Sequence, residues 1–166
     1  MCSGKTTLGR ALGRALQVPF VDLDNYIEEQ AGMTVSQIFA TQGEAAFRQM
    51  ETDALASLAQ RDGCVVACGG GTPCFGRNME LMNSVGTTVF LQPIMSRLLP
   101  RLYHGKHKRP LIAALPDEEI PAFIEAQMAK RLPFYSQARH TFDSSWLEDD
   151  AQIAQSVENF KTLIGL

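Results

Sequence analysis

Ser3-Gly4-Lys5-Thr6-Thr7, at the start of the chain, is the stretch that decides the fold. It matches the end of the phosphate-binding loop pattern G-x-x-x-x-G-K-[ST], in which backbone N–H groups surround nucleotide phosphates. In that pattern the lysine contacts the outer phosphates, the next hydroxyl ligates Mg²⁺, and the following helix adds its positive dipole end. The first glycine of the pattern, and the strand that normally precedes it, would lie before Met1. We therefore predict that residues 3–7 bind a nucleotide.

The composition predicts a single globular domain over residues 1–166, with 45% hydrophobic and 20% charged residues. No apolar run is long enough to span a bilayer, and no charged-then-apolar leader is found, so we expect a cytoplasmic protein that does not bind membranes. The net charge of −3 gives no general attraction to nucleic acid, and we expect no such partner.

Cys64, Cys68 and Cys74 are spaced in a way that allows two interpretations. A metal cluster is one, but no histidine lies at ligand spacing, and Cys64 and Cys68 bound an apolar strand. We therefore favour structural thiols. A domain of this size needs no disulfides, so the cysteines are expected to be reduced.

Helix-like and strand-like segments alternate along the chain, which predicts a parallel α/β sheet. Apolar residues at helical spacing extend the helix after the phosphate loop to about Gln17. Thr34-x-x-Gln37 is a capping box that opens a short helix, which Gly43 closes. The other predicted elements are strands over residues 19–24, 64–68, 87–91 and 141–143, helices over 44–60, 96–103, 117–131 and 149–163, and a loop over 104–116.

Asp22 and Asp24 end the first predicted strand, and ligands bind outside the carboxyl ends of strands in open α/β sheets. Residues i and i+2 of a strand share a face, so both carboxylates are expected on the same side. One would help to hold a metal and the other would face an acceptor hydroxyl. The alternative is a structural turn or helix cap, because Asp24-Asn25 also suits that position. The preceding phosphate loop favours the functional interpretation.

Arg48 and Glu51 lie at i, i+3 on one face of a predicted helix. A solvated ion pair worth roughly 0.2–0.5 kcal/mol is the simpler interpretation of this spacing taken alone. The functional alternative is an arginine that grips a substrate carboxylate with Glu51 orienting it.

Gly69-Gly70-Gly71 directly follows a buried strand. Three successive glycines destabilise the chain through lost backbone entropy. They are useful where the backbone approaches a ligand closely, so we predict that this segment contacts a ligand.

Two more arginines are candidates for anion binding. Arg109 lies in a basic loop that is either solvated or a lid over about residues 104–116, which would bring it to the transferring phosphoryl group. The loop has Gly105, a charge run and few apolar anchors, which predicts a mobile segment. Arg131 is predicted to end a helix just before Pro133, where it either complements the helix dipole or binds an anion.

These motifs together resemble those of the shikimate kinases, which belong to the nucleoside-monophosphate-kinase-like P-loop enzymes. The resemblance covers nearly the whole chain and rests on Gly4-Lys5-Thr6-Thr7, Asp22-x-Asp24, Phe47-Arg48-x-x-Glu51, Gly69-Gly70-Gly71, Arg109-Pro110-Leu111 and Arg131-x-x-x-Tyr135. It implies a three-layer α/β/α P-loop fold with a parallel sheet of order 2-3-1-4-5, in which strand 1 would lie before Met1.

The resemblance also implies an activity: transfer of the ATP γ-phosphoryl group to the 3-hydroxyl of shikimate, in the pathway to chorismate and aromatic amino acids. On the nucleotide side, Lys5 would contact the phosphates and Arg109 would be the lid arginine. Arg101 is a candidate adenine contact. Thr6 would ligate Mg²⁺, and Asp22 would help to hold the metal. A monomer is expected.

On the acceptor side, the resemblance implies that Asp24 accepts or orients the attacking hydroxyl. Arg48 and Arg131 would clamp the shikimate carboxylate. The three glycines, Gly69, Gly70 and Gly71, would line that pocket.

Two alternative functions stay open at this point. Another small-molecule kinase of the same fold, acting on gluconate or a nucleotide, would share the phosphate loop and the lid. The combination of the two aspartates, Arg48 and the three glycines argues against this alternative. A non-catalytic domain with a kinase fold is the second alternative, and the incomplete loop pattern is its only support.

Overall fold

The structure, a computed structural model, describes residues 2–108 and 110–166. No helix in these ranges is long and apolar enough to cross a membrane. The helices are α1 (Lys5–Leu16), α2 (Leu23–Ala31), α3 (Val35–Leu58), α4 (Asn78–Val85), α5 (Met95–His104), α6 (Pro110–Ala113), α7 (Ile120–Tyr135) and α8 (Asp150–Ile164). The strands are β1 (Phe20–Asp22), β2 (Val65–Ala67), β3 (Val89–Leu91) and β4 (His140–Phe142).

The four strands form two parallel pairs. β1 runs beside β2, with Phe20 opposite Val65, and β3 runs beside β4, with Val89 opposite His140. These are the two outer pairs of the expected order 2-3-1-4-5, and within the described ranges no strand is paired between β2 and β3. The prediction of a parallel α/β P-loop fold is confirmed.

Helices cover both faces of the strands. Neighbouring residues of a strand point to opposite sides, so apolar residues in succession give both faces a surface to bury. In β2, Val65 packs with the cluster under α1 and α8, whereas Val66 packs with the cluster under α2 and α3. The first cluster is built on Leu8, Ala11, Leu12, Phe142 and Val157. The second is built on Leu23, Ile27, Ile38, Phe47, Ala54, Leu55 and Leu58. The strands therefore lie between two helical layers, with one core on each side, which gives the three layers of the fold.

β1 ends earlier than the sequence suggested, and this changes the setting of the two aspartates. The predicted strand over residues 19–24 is wrong at its end, because β1 stops at Asp22 and α2 starts at Leu23. The Asp22 side chain accepts a hydrogen bond from the Asp24 N–H at 3.3 Å and caps α2. This local bond competes with strand extension. Asp22 and Asp24 are therefore neighbours across a helix cap, not alternate residues of one strand.

The predictions around α3 are confirmed. Thr34 and Gln37 form the capping box, with the Gln37 N–H donating to the Thr34 hydroxyl at 3.2 Å. Gly43 interrupts the helix with φ of 84° and ψ of 171°. The positive φ is left-handed, which favours glycine. The segment after this kink carries Arg48 and Glu51 towards the strand ends.

α7 extends further than predicted. Arg131 does not end the helix, which continues through Pro133 to Tyr135. Proline removes one i→i−4 hydrogen bond, but the Ser136 N–H still donates to the Leu132 carbonyl at 2.8 Å. Arg131 and Tyr135 are consequently one helical turn apart on the same face.

The segment over residues 104–116 is not a plain loop, which corrects the prediction. It contains a 3₁₀ turn (Lys106–Lys108) and α6. Ile112 is fully buried in a third cluster with Leu102 and Ile120. The expectation of few apolar anchors overlooked this residue, because the apolar run over residues 111–115 is too short to show which of its side chains is buried. Arg109 lies outside the described residues.

Ile112 provides a test of this anchor. Replacing Ile112 with alanine is expected to reduce the free energy of unfolding by roughly 2–5 kcal/mol, because it leaves a cavity in the third cluster. The matched control is Leu111→Ala, since Leu111 is 58% exposed, and a change within about 0.5 kcal/mol is expected there. Urea unfolding measures both. Equal effects would show that α6 does not depend on Ile112 for its packing.

Candidate active site

The turn before α1 has the geometry of an anion site. Gly4 is the N-terminal cap of α1 and adopts a left-handed conformation with φ of 85°. A Cβ atom there would also collide with the Leu147 side chain. No acidic residue occupies the first turn of α1. The first N–H groups of a helix have no partner within it, and they attract anions together with the helix dipole. This arrangement suits nucleotide phosphates.

Lys5 and Thr6 both face the carboxylate of Asp22. The Lys5 Nζ lies 3.6 Å from Asp22 Oδ2, and the Thr6 hydroxyl donates to the same oxygen at 3.2 Å. α1 begins at the loop and β1 ends beside it, so the two elements bring these three residues together. The resemblance assigns these three residues to the phosphate and metal side of the site, and that assignment stays a prediction.

Asp24 connects the phosphate end of the site to the glycine segment. Burial raises the pKa of its carboxyl, the charge of Lys5 opposes this, and the charges of Asp22, Glu51 and Glu28 add to it. A Cβ atom on Gly69 would lie 3.3 Å from Asp24 Oδ1. Asp24 is thus a partly desolvated carboxylate of increased basicity, between a lysine and a bare stretch of backbone.

Two of the three glycines, Gly70 and Gly71, lie where a side chain has no room. A Cβ atom on Gly70 would lie 2.7 Å from Nη1 of Arg131, and one on Gly71 would lie 2.6 Å from both terminal nitrogens of Arg48. Real Cβ atoms do not approach other atoms so closely. Glycine is therefore needed for two guanidinium groups to lie directly against the backbone. The predicted contact of this segment with a ligand stays a prediction.

Arg48 is held by two glutamates of α3. Its Nη1 donates to Glu51 Oε2 at 2.7 Å, and its Nη2 and Nε donate to Glu44 Oε1 at 3.1 and 3.2 Å. Burial alone would lower the pKa of the guanidinium, but Glu51 and then Glu44 raise it above its usual value. Glu51 is only 1% exposed, so Arg48 is not in the solvated surface pair that was the simpler interpretation. The partner Glu44 was missed, although its i−4 spacing signals it.

Arg131 approaches the glycines from α7. The Tyr135 hydroxyl donates to the Gly70 carbonyl at 2.6 Å. Burial raises the pKa of Tyr135, while the charge and hydrogen bond of Arg131 oppose that increase. Both arginines also lie close enough to Cys74 to influence its thiol. Burial raises the pKa of this thiol, and the charges of Arg131 and Arg48 oppose that increase. The two positive groups therefore converge on one place, next to Gly70 and Gly71.

A buried polar network behind the glycines was missed by the sequence reasoning. The Thr72 hydroxyl donates to Glu51 Oε1, and Asn78 Nδ2 donates to the Thr72 carbonyl at 2.9 Å. The Thr52 hydroxyl donates to Asn78 Oδ1 at 2.9 Å. Thr72 and Asn78 are fully buried. The position of Thr72 directly after the glycines was the only signal in the sequence.

The other predicted nucleotide residues are placed as follows. Ser3 precedes Gly4 in the turn, and Thr7 is exposed in the first turn of α1. Arg101 donates to the carbonyls of Ser144 and Ser145 at 3.1 and 2.7 Å and pairs with Glu148 at 2.7 Å. It thereby fixes the loop that follows β4.

The site therefore has two ends. One is a helix N-terminus with Lys5, which suits phosphates, and the other is a pair of arginines, which suits a carboxylate. Asp24 lies between them, where it can meet a hydroxyl group. Together with the parallel α/β fold, this arrangement is typical of a P-loop kinase.

Comparisons with known proteins agree with that class. A family model described as "Shikimate kinase" matches residues 1–161. Shikimate kinase of Bacteroides fragilis is 45% identical over 166 residues, covering 100% of this chain and 93% of the relative. The crystal structure of shikimate kinase from Bacteroides thetaiotaomicron has a TM-score of 0.94 at 45% identity, covering 100% of this chain and 94% of that one.

A more distant structure is shikimate kinase from Acinetobacter baumannii in complex with shikimate. It has a TM-score of 0.82 at 31% identity and covers 99% of this chain and 89% of that one. The chain belongs to the shikimate kinase family and is an ATP-dependent kinase.

Asp24 allows a test of the electrostatics. A carboxyl whose pKa is raised by folding binds its proton more tightly in the folded state, so ionisation destabilises the protein as pH rises above the usual 3.8. Asp24→Asn is expected to increase the free energy of unfolding at pH 7, with a gain that shrinks towards pH 4. Urea unfolding between pH 4 and pH 8 measures this.

The control for this prediction is Asp53→Asn, because Asp53 is an exposed carboxylate on α3. This variant should show no comparable gain at pH 7. A pH-independent change in Asp24→Asn would contradict the proposed burial of its charge.

Proposed function

We propose that this chain transfers the γ-phosphoryl group of ATP to the 3-hydroxyl of shikimate, giving shikimate 3-phosphate and ADP. The observation that carries the proposal is the convergence of Arg48 and Arg131 on Gly70 and Gly71. A pair of arginines against bare backbone recognises a planar carboxylate. The family of the chain, and the shikimate complex of the Acinetobacter baumannii relative, support the same substrate.

On the nucleotide side, residues 3–7 would surround the ATP phosphates. Lys5 would exchange its 3.6 Å contact with Asp22 for the outer phosphates and neutralise charge that moves with the transferred group. Arg109 is proposed as the lid arginine that reaches the same group, within a lid over about residues 104–116. Arg101 is proposed to support the adenine side through the loop that it holds after β4.

Thr6 and Asp22 fit a magnesium ion. Their side-chain oxygens lie 3.2 Å apart at the phosphate end, and hard oxygen ligands are what Mg²⁺ prefers. Mg²⁺ usually takes one or two protein ligands and fills its remaining positions with waters and phosphate oxygens, so two residues are sufficient. When bound, the ion would neutralise charge on the phosphates. Thr6 and Asp22 would then hold its protein-facing side.

Asp24 is proposed to orient the attacking hydroxyl and to accept its proton. Burial raises the pKa of this carboxyl, which makes it a stronger base than an exposed aspartate. Its position near Lys5 and Gly69 supports this role, because the proposed phosphate and carboxylate ends of the site lie on either side of it. Phosphoryl transfer needs positioning and charge neutralisation more than a covalent intermediate, and this site supplies both.

Arg48 and Arg131 are proposed to clamp the shikimate carboxylate, with Gly69, Gly70 and Gly71 lining the pocket. Because one guanidinium comes from α3 and the other from α7, the carboxylate would be gripped from two sides. A carboxylate clamp argues against a nucleotide acceptor, and the family of the chain favours shikimate over gluconate. We further propose that the protein is a cytoplasmic monomer without nucleic-acid or membrane partners.

The proposal is tested by coupled detection of ADP with shikimate, gluconate and nucleoside monophosphates as acceptors. Magnesium-dependent turnover is expected with shikimate. Lys5→Ala is the control for catalysis by this site and should reduce kcat by far more than about tenfold, since it removes a transition-state contact. Turnover with gluconate but not shikimate would overturn the assigned substrate. If none of these acceptors gives ATP-dependent turnover, a non-catalytic binding domain would be supported instead.

The proposed clamp should affect the KM for shikimate and the KM for ATP differently. Arg48→Ala and Arg131→Ala are each expected to raise the KM for shikimate by roughly 30-fold or more, on the order of 2–5 kcal/mol, with a much smaller change in the KM for ATP. Steady-state kinetics with each substrate varied in turn measures the split. Lys130→Ala is the matched control, because Lys130 is an exposed neighbour on α7. Equal effects on both KM values would assign these arginines a general structural role.

A further inference from the structure

The two arginines of the clamp are each connected to the glycine segment through a hydroxyl group. On the α3 side, the carboxylate of Glu51 has one oxygen on Arg48 at 2.7 Å and the other on the Thr72 hydroxyl. Thr72 is the residue immediately after Gly71, against which the Arg48 guanidinium lies. The connection from Arg48 through Glu51 to Thr72 therefore closes a small ring with the backbone.

On the α7 side, the connection runs through Tyr135. Its hydroxyl donates to the Gly70 carbonyl at 2.6 Å, and Nη1 of Arg131, one turn earlier in the helix, lies beside the same glycine. The Tyr135 ring also packs on Phe90 of β3, with centroids 4.9 Å apart. Arg131 is thus tied to the backbone of Gly70, the residue next to the one that meets Arg48.

We propose that Thr72 and Tyr135 are positioning residues that set the separation and orientation of Arg48 and Arg131 for the substrate carboxylate. The inference rests on the proposed function, because it concerns the clamp for shikimate. In this proposal neither Thr72 nor Tyr135 binds the substrate carboxylate directly. Each acts through an arginine.

The physical reason is that both arginines end long, flexible side chains. A guanidinium binds a carboxylate well only when its plane and distance are held before the substrate arrives. Glu51 can hold Arg48 only if its own carboxylate cannot rotate, and the bond from Thr72 to the second oxygen prevents that rotation. Since Glu51 is 1% exposed, water is a poor replacement for the lost donor.

Asn78 and Thr52 hold Thr72 in turn. Asn78 Nδ2 donates to the Thr72 carbonyl, and Thr52 on α3 donates to Asn78 Oδ1, both at 2.9 Å. The Thr72 hydroxyl is therefore fixed relative to α3, the helix that carries Arg48 and Glu51. This second connection makes the ring rigid and explains why a buried asparagine stands at the start of α4.

The test uses Thr72→Val, which keeps the shape of threonine and removes its hydroxyl, and Tyr135→Phe. Each is expected to raise the KM for shikimate about 10- to 100-fold, with kcat and the KM for ATP changed by less than about threefold. Thr72→Ser restores the hydroxyl and should recover most of the affinity. Matched controls are Thr162→Val on α8 and Tyr26→Phe, whose hydroxyl faces Ser57 at 3.1 Å.

A neutral competitor separates positioning from general damage. The analogue of shikimate with a hydroxymethyl group in place of the carboxylate cannot use the clamp, so its inhibition constant should be the same in the parent, Thr72→Val and Tyr135→Phe. Equal losses for shikimate and the neutral analogue would overturn the inference, as would an unchanged KM for shikimate. If the parent does not phosphorylate shikimate, the proposed function fails first, and the positioning role falls with it.

Discussion

The carboxylate of Asp22 is the interaction on which the site depends. One oxygen accepts the Asp24 N–H and starts α2, and the other accepts the Thr6 hydroxyl and lies 3.6 Å from Lys5. A single side chain thus ends β1, sets the direction of the next helix and orders two residues of the phosphate loop. Because Asp24 is in the first turn of α2, its distance from the phosphate loop is set by the same cap. The turn before α1 and the helix that carries Asp24 are joined at this residue.

The remainder of the site balances opposite charges at short range. Asp24 is partly buried near Lys5, the fully buried Glu51 is paired with Arg48, and Arg131 lies beside Gly70. Burial of a carboxylate is costly unless a cation or a donor compensates. The glycines allow this compensation, because side chains there would push the guanidinium groups away. Chain flexibility at three residues is the cost of a densely charged, preorganised pocket.

Local patterns in the sequence predicted much of this arrangement and missed what depends on distant contacts. The capping box at Thr34, the break at Gly43 and the helix after Gly4 were correct because each is decided within a few residues. The end of β1 was wrong because the cap of Asp22 outweighs strand alternation. The end of α7 was wrong because Pro133 is tolerated in a last turn that Tyr135 anchors to Gly70.

The sequence by itself determined the class of fold and the helix that follows Gly4, and it indicated which groups are candidates for ligand binding, since residue types at fixed spacing carry this information. It also indicated Arg48 and Arg131, which are 83 positions apart, without showing that they meet. Only the tertiary structure decided that they lie on adjacent glycines, that Thr72 and Asn78 support them, and that Ile112 anchors the segment after α5. The reason is physical: a spacing rule describes neighbours along one helix or strand, whereas a clamp is made by elements that meet only when the core packs.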